Sequence, residues 1–283
     1  MLAINIFNGL VYGALLATMC SGLALIYGLR RVVNFAHGSL YMLGAYLCYS
    51  AVPYVGFWGA LLIVPLIMAF VGVLLDRYGF RLLQNRDPLS VVLVTFGLLL
   101  IIEDVVQTVW GKDNLSVSAP ALLDRTIHVW NLSLPAYRVG VIVVGLLVAL
   151  GLTLWMKVSR VGLFVRAAST DPATTAMQGV NTDRLSAGVV GLGAALAGLS
   201  GVVAAPFLAL SPSMSSDVLI DSFVVVVIGG LGSLGGAFLT ALALGLVQSI
   251  GSVYLPDVSA ILPFALMIGV LIFRPSGLAG SRT

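Results

Sequence analysis

Long apolar stretches separated by short polar connections run through almost the whole chain. A helix needs about 20 apolar residues to cross a bilayer, and most of these stretches approach that length. They fall at roughly 4–29, 35–52, 56–76, 88–109, 138–157, 184–206, 217–230, 236–254 and 258–273. The pattern predicts an all-α polytopic membrane helix bundle with eight to nine transmembrane segments. Because 35–52 and 217–230 are short, we expect short or broken helices near 35–52 and 217–236.

Composition supports a membrane protein. Hydrophobic residues make up 60% of the 283, charged residues 9%, and the mean hydropathy is +1.10, whereas soluble domains carry about a quarter charged residues. The unbroken apolar run Val139–Leu154 is too long for the alternating strands of a β-barrel. We therefore expect one transmembrane domain over 1–283.

One polar island, from Lys157 to Arg184, interrupts the apolar pattern. It contains a complete helix signal, since Asp171 is a natural N-cap, Pro172 suits the first helical position and Gly179 suits the end. The predicted helix, roughly 172–178, has about two turns and is too short to be stable alone in water. We therefore expect it to dock against a partner protein.

The positive charges favour one orientation. If nine segments cross, eleven basic residues lie on one side, whereas the longest opposite connection holds three, Lys112, Arg125 and Arg138. The eleven are Arg30, Arg31, Arg77, Arg81, Arg86, Lys157, Arg160, Arg166, Arg184, Arg274 and Arg282. The positive-inside rule makes that side cytoplasmic. The N-terminus is then outside, the C-terminus and loop 157–184 are cytoplasmic, and loop 111–137 is periplasmic.

The motifs of an enzyme or nucleotide-binding protein are missing from the sequence. There is no G-x-x-x-x-G-K-[ST] phosphate loop, no H-E-x-x-H, no G-x-S-x-G and no Cys/His cluster with metal spacing. The glycine-rich stretch Gly229–Gly236 contains no lysine. We predict no catalytic, cofactor or metal residues, so any nucleotide that the protein depends on must bind another polypeptide.

The same glycine-rich stretch has two interpretations. It is either a broken helix or re-entrant turn beside a substrate path, or a tight turn between closely packed helices. Both use the small size and backbone freedom of glycine. The path interpretation makes Gly229, Gly230, Gly232 and Ser233 candidate lining residues.

A second candidate for the path is the segment Asn34–Gly38, which opens the short second stretch. Asn34 is a candidate helix cap, and His37 is either a ligand or proton-relay site or a structural hydrogen-bonding residue, which is the favoured interpretation. Among the acidic residues, Asp217 and Asp221 are expected at the outer start of the seventh stretch, where their negative charges would interact favourably with the helix dipole.

Four blocks of sequence together resemble one known family. They are GLALIYGLRRVVNFAHGSLYMLGAY (22–46), the DPATTAMQGVN core of the island, AALAGLSGVVAAP (194–206) and VVVVIGGLGSLGGAFLTALALG (224–245). The family is the permease family of ABC importers for branched-chain amino acids, in the branch with the shorter of two permease chains. The closing FRPSGLAG is also similar to the tail of that family.

The resemblance implies a second, similar permease subunit, two cytoplasmic ATPase subunits and a periplasmic substrate-binding protein. The island would be the coupling loop, with Ala168, Asp171, Pro172, Ala176 and Gly179 as candidate coupling residues. Arg166 and Met177 are further candidates for contact with the ATPase. The chain lacks the Glu-Ala-Ala sequence of the general importer coupling motif. It keeps the Ala-to-Gly spacing of that motif at Ala176 and Gly179.

The function expected from the sequence is inward transport of branched-chain or related small hydrophobic amino acids across the inner membrane. Urea and short amides are alternative substrates, because related permeases import them. The alternative mechanism is an ATP-independent facilitator channel.

Overall fold

The structure is a computed structural model that describes residues 2–32, 34–83, 86–129 and 132–279. Ten α-helices make up most of this part of the chain. They are α1 (Leu2–Arg30), α2 (Ala36–Leu75), α3 (Pro88–Trp110), α4 (Ala136–Val158), α5 (Arg160–Thr170), α6 (Pro172–Met177), α7 (Thr182–Ala204), α8 (Met214–Gly229), α9 (Leu234–Tyr254) and α10 (Leu262–Phe273). A π-helical turn, Asp76–Phe80, continues α2, and a 3-10 turn, Pro256–Ile261, precedes α10.

The long helix α2 is two helices joined at Gly56. This glycine has φ 68 and ψ 172, which are not helical angles. Gly44, before the break, and Met68, after it, both pack on Gly198 of α7. In a straight helix these two residues would be about 36 Å apart, so the chain must fold back at Gly56. The predicted separate segments at 35–52 and 56–76 are therefore confirmed.

Helix α1 forms the centre of the bundle. Most of its apolar window, 89%, is buried, as expected for a helix that is apolar on all faces. It runs antiparallel to two neighbours at very short distance, since Gly22 meets the backbone of Gly193 on α7 and Gly9 meets that of Leu246 on α9. Small residues permit such close contacts between membrane helices.

The outer helices present apolar side chains to their surroundings. For α3, α4 and α10, the buried share of the apolar window is 22%, 11% and 6%. Exposed side chains at this density in a soluble protein would cause aggregation, whereas in a bilayer they contact lipid. The fold is therefore a multi-pass membrane bundle.

Seven helices of the described chain have the length and hydropathy to span a membrane. One of them, α2 with its π-helical turn, contributes two segments because of the break at Gly56. Helix α8, with 16 residues, is about 24 Å long and is the short segment expected near 217–230. The prediction of eight to nine segments, short or broken near 35–52 and 217–236, agrees with this arrangement.

At one end of the bundle, the loop after α3 forms a small hairpin that the sequence did not predict. Strand β1 (Thr126–Val129) pairs antiparallel with β2 (Leu132–Pro135). The same loop bonds to the chain before α8 through Leu115 and Leu210. Loop 111–137 is thereby fastened to the bundle at this end.

Candidate functional site

The polar island folds into two short helices rather than the one expected. Helix α5 precedes the predicted helix, and Ser159 caps it by accepting a hydrogen bond from the backbone N–H of Gly162 at 2.9 Å. The buried residues of α5 are Gly162, Val165 and Ala168, which recur every three positions and so lie on one face. This face anchors the island to the bundle.

The predicted helix of the island is confirmed as α6, one residue shorter than expected. Asp171 caps it, because its Oδ1 accepts from the N–H of Thr174 at 3.0 Å and its Oδ2 accepts from the Thr174 hydroxyl at 2.5 Å. These hydrogen bonds, that from the Thr174 hydroxyl first, lower the pKa of Asp171. Pro172 starts the helix, and Gly179 follows its end with φ 85, in the left-handed region that glycine allows.

The candidate coupling residues divide into two groups by exposure. Ala168 is buried, at 1% exposure, so it holds the loop in place. Asp171, Pro172, Ala176 and Gly179 are exposed, and the side chain of Met177 is 78% exposed. This second group forms the outward surface of α6, where the large apolar side chain of Met177 is exposed.

The side chain of Arg166 is exposed but also contacts its own chain. Its guanidinium donates to the backbone oxygen of Met156, near the end of α4. The backbone oxygen of Arg166 accepts from the hydroxyls of Ser169 and Thr170. Arg166 therefore joins α5 to α4.

Polar contacts connect the island to the ends of two transmembrane helices, α1 and α2. Arg31, after α1, donates to the backbone oxygen of Ser169 at 3.0 Å. Arg81, after α2, pairs with Asp183 at the start of α7 at 2.5 Å. Displacement of α5, α6 or the start of α7 is thus transmitted to α1 and α2.

A large apolar groove lies between the island and α7. Its volume is about 1000 Å³, and it separates α5 and α6 from the first turns of α7. Val161 and Phe164 line it on the α5 side, and Leu185 and Leu192 on the α7 side. The island is therefore held to α7 at its ends and separated from it in the middle, which leaves space for relative movement.

Basic residues of the described chain collect at the end of the bundle that carries the island, here called the basic end. Contacts already given bring Arg31, Arg81 and Arg166 to this end, and Arg30 is the last residue of α1, next to Arg31. At the opposite end Arg138 donates to Asn8 at 2.6 Å, and Lys112 and Arg125 belong to the hairpin loop. The predicted separation of charge is present. Arg282, one of the eleven, lies outside the described residues.

The segment with Asn34 and His37 enters the bundle before α2 begins. The N–H of Phe35 donates to Thr95 at 3.3 Å, and Thr95 is seven residues, or about 10 Å, into α3. The N-cap position of α2 is Phe35 rather than Asn34, but Asn34 accepts from the N–H of Ala36, the first residue of α2, at 3.0 Å. Irregular backbone at this depth is tolerated where protein or a cavity surrounds it.

His37 is fully buried, at 0% exposure, and its Nε2 lies 3.1 Å from the backbone oxygen of Met19. The contact ties α2 to α1 halfway along the central helix. This geometry matches the structural interpretation of His37. Its other ring nitrogen, Nδ1, is buried without a partner among the described residues.

The glycine-rich stretch forms a closely packed turn between α8 and α9. Gly230 and Gly232 have φ 96 and φ 83, so both need the freedom of glycine. Gly232 packs on Gly28 of α1, and Ser233 caps α9 by accepting from the N–H of Gly236 at 3.1 Å. The geometry is that of the tight-turn interpretation.

The end of the described chain also packs on this turn. The N–H of Leu278 donates to Ile228 at 2.7 Å, and that of Ala279 to Gly229 at 3.2 Å. Since Gly232 lies beside Gly28 and His37 beside Met19, the two candidate path segments are about 14 Å apart along α1. The structure does not bring them together.

A polar cluster in the bundle was missed by sequence reasoning. Asp221 accepts from the hydroxyl of Tyr12 at 2.6 Å and from the amide of Gln248 at 2.9 Å, and is 9% exposed. The expected role at the helix start therefore fits Asp217, in the first turn of α8, but is wrong for Asp221. An ionisable group inside a span was the available signal.

The structure is an all-α bundle with a buried central helix and lipid-facing outer helices. It also carries a capped helical island at its basic end. These features define a multi-pass membrane protein of the transport-permease class. Comparison with known proteins gives the family. A family model described as branched-chain amino acid transport system / permease component matches residues 5–271. The chain belongs to this family.

The relatives cover almost the whole chain. The high-affinity branched-chain amino acid transport system permease protein BraD of Pseudomonas aeruginosa is 30% identical, over 98% of this chain and 95% of its own. The corresponding protein LivH of Escherichia coli is 28% identical, over 98% and 94%. A probable branched-chain amino acid transport permease of Methanocaldococcus jannaschii is 22% identical, over 96% and 91%. No solved structure matches.

Proposed function

We propose that this chain is the permease subunit of an ABC importer that moves branched-chain or related small hydrophobic amino acids across the inner membrane. Separate cytoplasmic ATPase subunits supply the energy, a second permease completes the channel and a periplasmic binding protein delivers the substrate. The observation that carries the proposal is α6, a six-residue helix capped at its start by Asp171 and followed by Gly179, with Met177 78% exposed. Such a helix needs a partner surface.

The proposed orientation puts the basic end in the cytoplasm, the N-terminus outside and the C-terminus inside. The positive-inside rule supports it, because the cluster of arginines lies at that end. The island is then on the same side as ATP. Loop 111–137, with its hairpin, faces the periplasm, where a binding protein has access to it.

The proposed mechanism follows the contacts of the island. Closure of the two ATPase subunits pushes on α6, and the push reaches α2 through Asp183 at the start of α7 and its partner Arg81, at 2.5 Å. It reaches α1 through the bond from Arg31 to Ser169, at 3.0 Å. Because α1 contacts α7 and α9 at glycines, movement of its base alters the centre of the bundle. The path then switches from outward-open to inward-open.

Two segments of the chain are proposed to line the substrate path. Asn34 and His37 are candidates because they lie on or beside irregular backbone at membrane depth, which membrane proteins use around cavities. Gly229, Gly230, Gly232 and Ser233 are candidates as the exit side of the path, although packing alone accounts for their geometry. An amino acid has an ammonium and a carboxylate, so its path requires polar groups in an apolar surround.

Site-specific cross-linking tests the docking of α6. Met177→Cys introduces a reactive thiol on the exposed surface, while the two native cysteines, Cys20 and Cys48, are buried at 0% exposure. In the assembled transporter, we expect a short bifunctional reagent to join this thiol to an ATPase subunit. Leu122→Cys is the matched control, because Leu122 is 68% exposed in the loop at the opposite end.

Two results would contradict the proposal. One is cross-linking of the Leu122→Cys variant, and not of the Met177→Cys variant, to an ATPase subunit. The other is failure of the chain to form a complex with any ATPase subunit while it transports substrate without ATP, which would support the facilitator.

A further inference from the structure

A small cavity opens at the basic end, beside the polar island. Its volume is about 270 Å³, and it lies between the end of α1, the chain after the π-helical turn and the start of α3. Its polar lining consists of three arginines and one asparagine, Arg30, Arg31, Arg86 and Asn34. Its apolar lining includes Ile26, Leu83 and Val91. The cavity therefore combines a strongly positive rim with an apolar wall.

The positive charge of this cavity is not balanced by its own lining, which contains no carboxylate. Asp76 neutralises Arg30 from one side, at 2.6 Å. Asp87 is next to Arg86 in sequence but forms no ion pair with a described residue. Two of the three guanidinium charges thus lack an acidic partner within the described chain.

Hydrogen-bond donors at this cavity also lack acceptors. Asn34 is 2% exposed, and its side-chain Nδ2 has no partner among the described residues. The Nε of Arg30 is likewise buried without one. A buried donor without a partner destabilises the folded protein. Donors of this kind beside uncompensated arginines fit an anion with several acceptor oxygens.

The backbone is strained at Arg31, one of the residues that line the cavity. Arg31 has φ 53, and it is the one residue other than glycine with a positive φ in the described chain. Left-handed backbone is unfavourable for such a residue, and strain of this kind concentrates at functional sites. In this conformation Arg31 lines the cavity and also reaches Ser169.

Apolar surface that faces the bilayer continues directly from the cavity. Val91 of α3 lines it, and the flank of α3 beside Val91 carries Val94, Ile101 and Val105, which are 48%, 60% and 48% exposed. Leu82, next to the lining residue Leu83, is 72% exposed. An acyl chain fits along this stripe with its headgroup at the arginines.

We propose that this cavity binds the phosphate of an anionic phospholipid, whose acyl chains lie along the flank of α3 beside Val91. Guanidinium groups bind phosphate oxygens through paired hydrogen bonds, and basic pockets between membrane helices are suited to lipid headgroups. The chemistry recognised is a phosphate oxyanion. The apolar stripe beside it selects a lipid over a free phosphate ion. The site does not depend on the transported substrate.

Native mass spectrometry of the full chain in detergent tests this site. The probes are dioleoylphosphatidylglycerol, dioleoylphosphatidylcholine and inorganic phosphate, each added over a concentration series. We expect the first phosphatidylglycerol to bind at least tenfold more tightly than phosphatidylcholine. Arg86→Gln should weaken that binding about fivefold, since a basic residue contributes about 1 kcal/mol to such binding. Arg125→Gln, the same change at the opposite end, should leave it unaltered.

Each remaining outcome would overturn the proposal. Equal binding of the two lipids would show that charge is not recognised. Equal loss of binding in Arg86→Gln and Arg125→Gln would show that the lipid phosphate is not bound at this cavity. Displacement of phosphatidylglycerol by millimolar inorganic phosphate would identify a site for free anions rather than lipid. Arg86 is exposed and removed from the packed interior, so its variant tests binding and not folding.

Discussion

The guanidinium of Arg30 lies 2.6 Å from the carboxylate of Asp76, where α1 ends and α2 passes into its π-helical turn. The same carboxylate accepts from the hydroxyl of Ser186 on α7 at 2.9 Å. Asp76 is 1% exposed. One buried acid therefore connects the ends of three helices directly beside the polar island.

Loss of this acid should destabilise the bundle. Asp76→Ala leaves Arg30 largely buried and unpaired, which costs about 3 kcal/mol or more. We expect a clearly lower midpoint of thermal unfolding for the purified protein in detergent. Adding Arg30→Met to Asp76→Ala should restore most of the loss, because the unpaired charge is then gone.

The exposed pair of Arg81 and Asp183 is the control for that prediction. Their side chains are 41% and 49% exposed, so Arg81→Ala should cost less than about 1 kcal/mol. If Arg81→Ala and Asp76→Ala lowered the unfolding midpoint equally, burial of the pair would not be the cause.

Gly179 should be required for coupling but not for stability of the bundle. Gly179→Ala places a side chain at φ 85, at a cost of about 1–2 kcal/mol, and α6 has few other contacts to offset it. We expect substrate-stimulated ATPase activity of the assembled transporter to fall several-fold, with an unchanged unfolding midpoint. Gly151→Ala on α4, where an added Cβ meets nothing, should leave both quantities unchanged. Normal uptake and stimulated ATPase activity in Gly179→Ala would contradict the coupling role.

The contact between Gly44 and Gly198 should tolerate no side chain. A Cβ on Gly44 would lie 2.5 Å from the Cα of Gly198, so Gly44→Ala forces α2 and α7 apart at a cost of about 1–3 kcal/mol. Gly97→Ala is the matched control, because a Cβ there meets nothing within 4 Å and alanine favours a helix. Thermal unfolding in detergent should therefore move down for Gly44→Ala and stay or move up for Gly97→Ala.

The Asp171 cap should respond to pH in a defined direction. The folded pKa of Asp171 lies below its unfolded value, so the cap contributes stability above the unfolded pKa. That contribution is lost as the pH falls through the lowered folded pKa. Thr174→Val removes the hydroxyl donor and should raise the pKa of Asp171.

A carboxyl-carbon NMR titration of labelled aspartate would measure this pKa. Thr170→Val should leave it unchanged, because the hydroxyl of Thr170 donates to Arg166 and not to Asp171. An Asp171 pKa that is the same with and without the Thr174 hydroxyl would contradict the account of the cap.

Local rules were sufficient to predict α6. Asp171, Pro172 and Gly179 each fill a standard role at a helix end, and such roles depend on neighbours in sequence alone. The separate stretches at 35–52 and 56–76 were likewise visible, because Pro53 and Gly56 interrupt the apolar pattern. Helix α5 was missed, since the cap at Ser159 is followed by Arg160 and Val161 without an acidic residue in the first turn.

Contacts between distant residues were beyond the sequence. The distance from Tyr12 to Asp221 is 209 residues along the chain, and nothing near either residue specifies the other. The entry of Asn34 into the bundle was also hidden, because the neighbour that reveals it is Thr95 on α3. The packing of whole helices determines such contacts, and this packing cannot be predicted from the residues near each position.

Transport by the complete assembly tests the central claim most directly. Proteoliposomes that contain this chain, its partner permease and both ATPase subunits would be given labelled leucine or labelled urea, with and without the binding protein. The account predicts leucine accumulation against a gradient that requires both the binding protein and ATP hydrolysis, with no urea uptake. Equilibration of either solute at the same rate without ATP would contradict it.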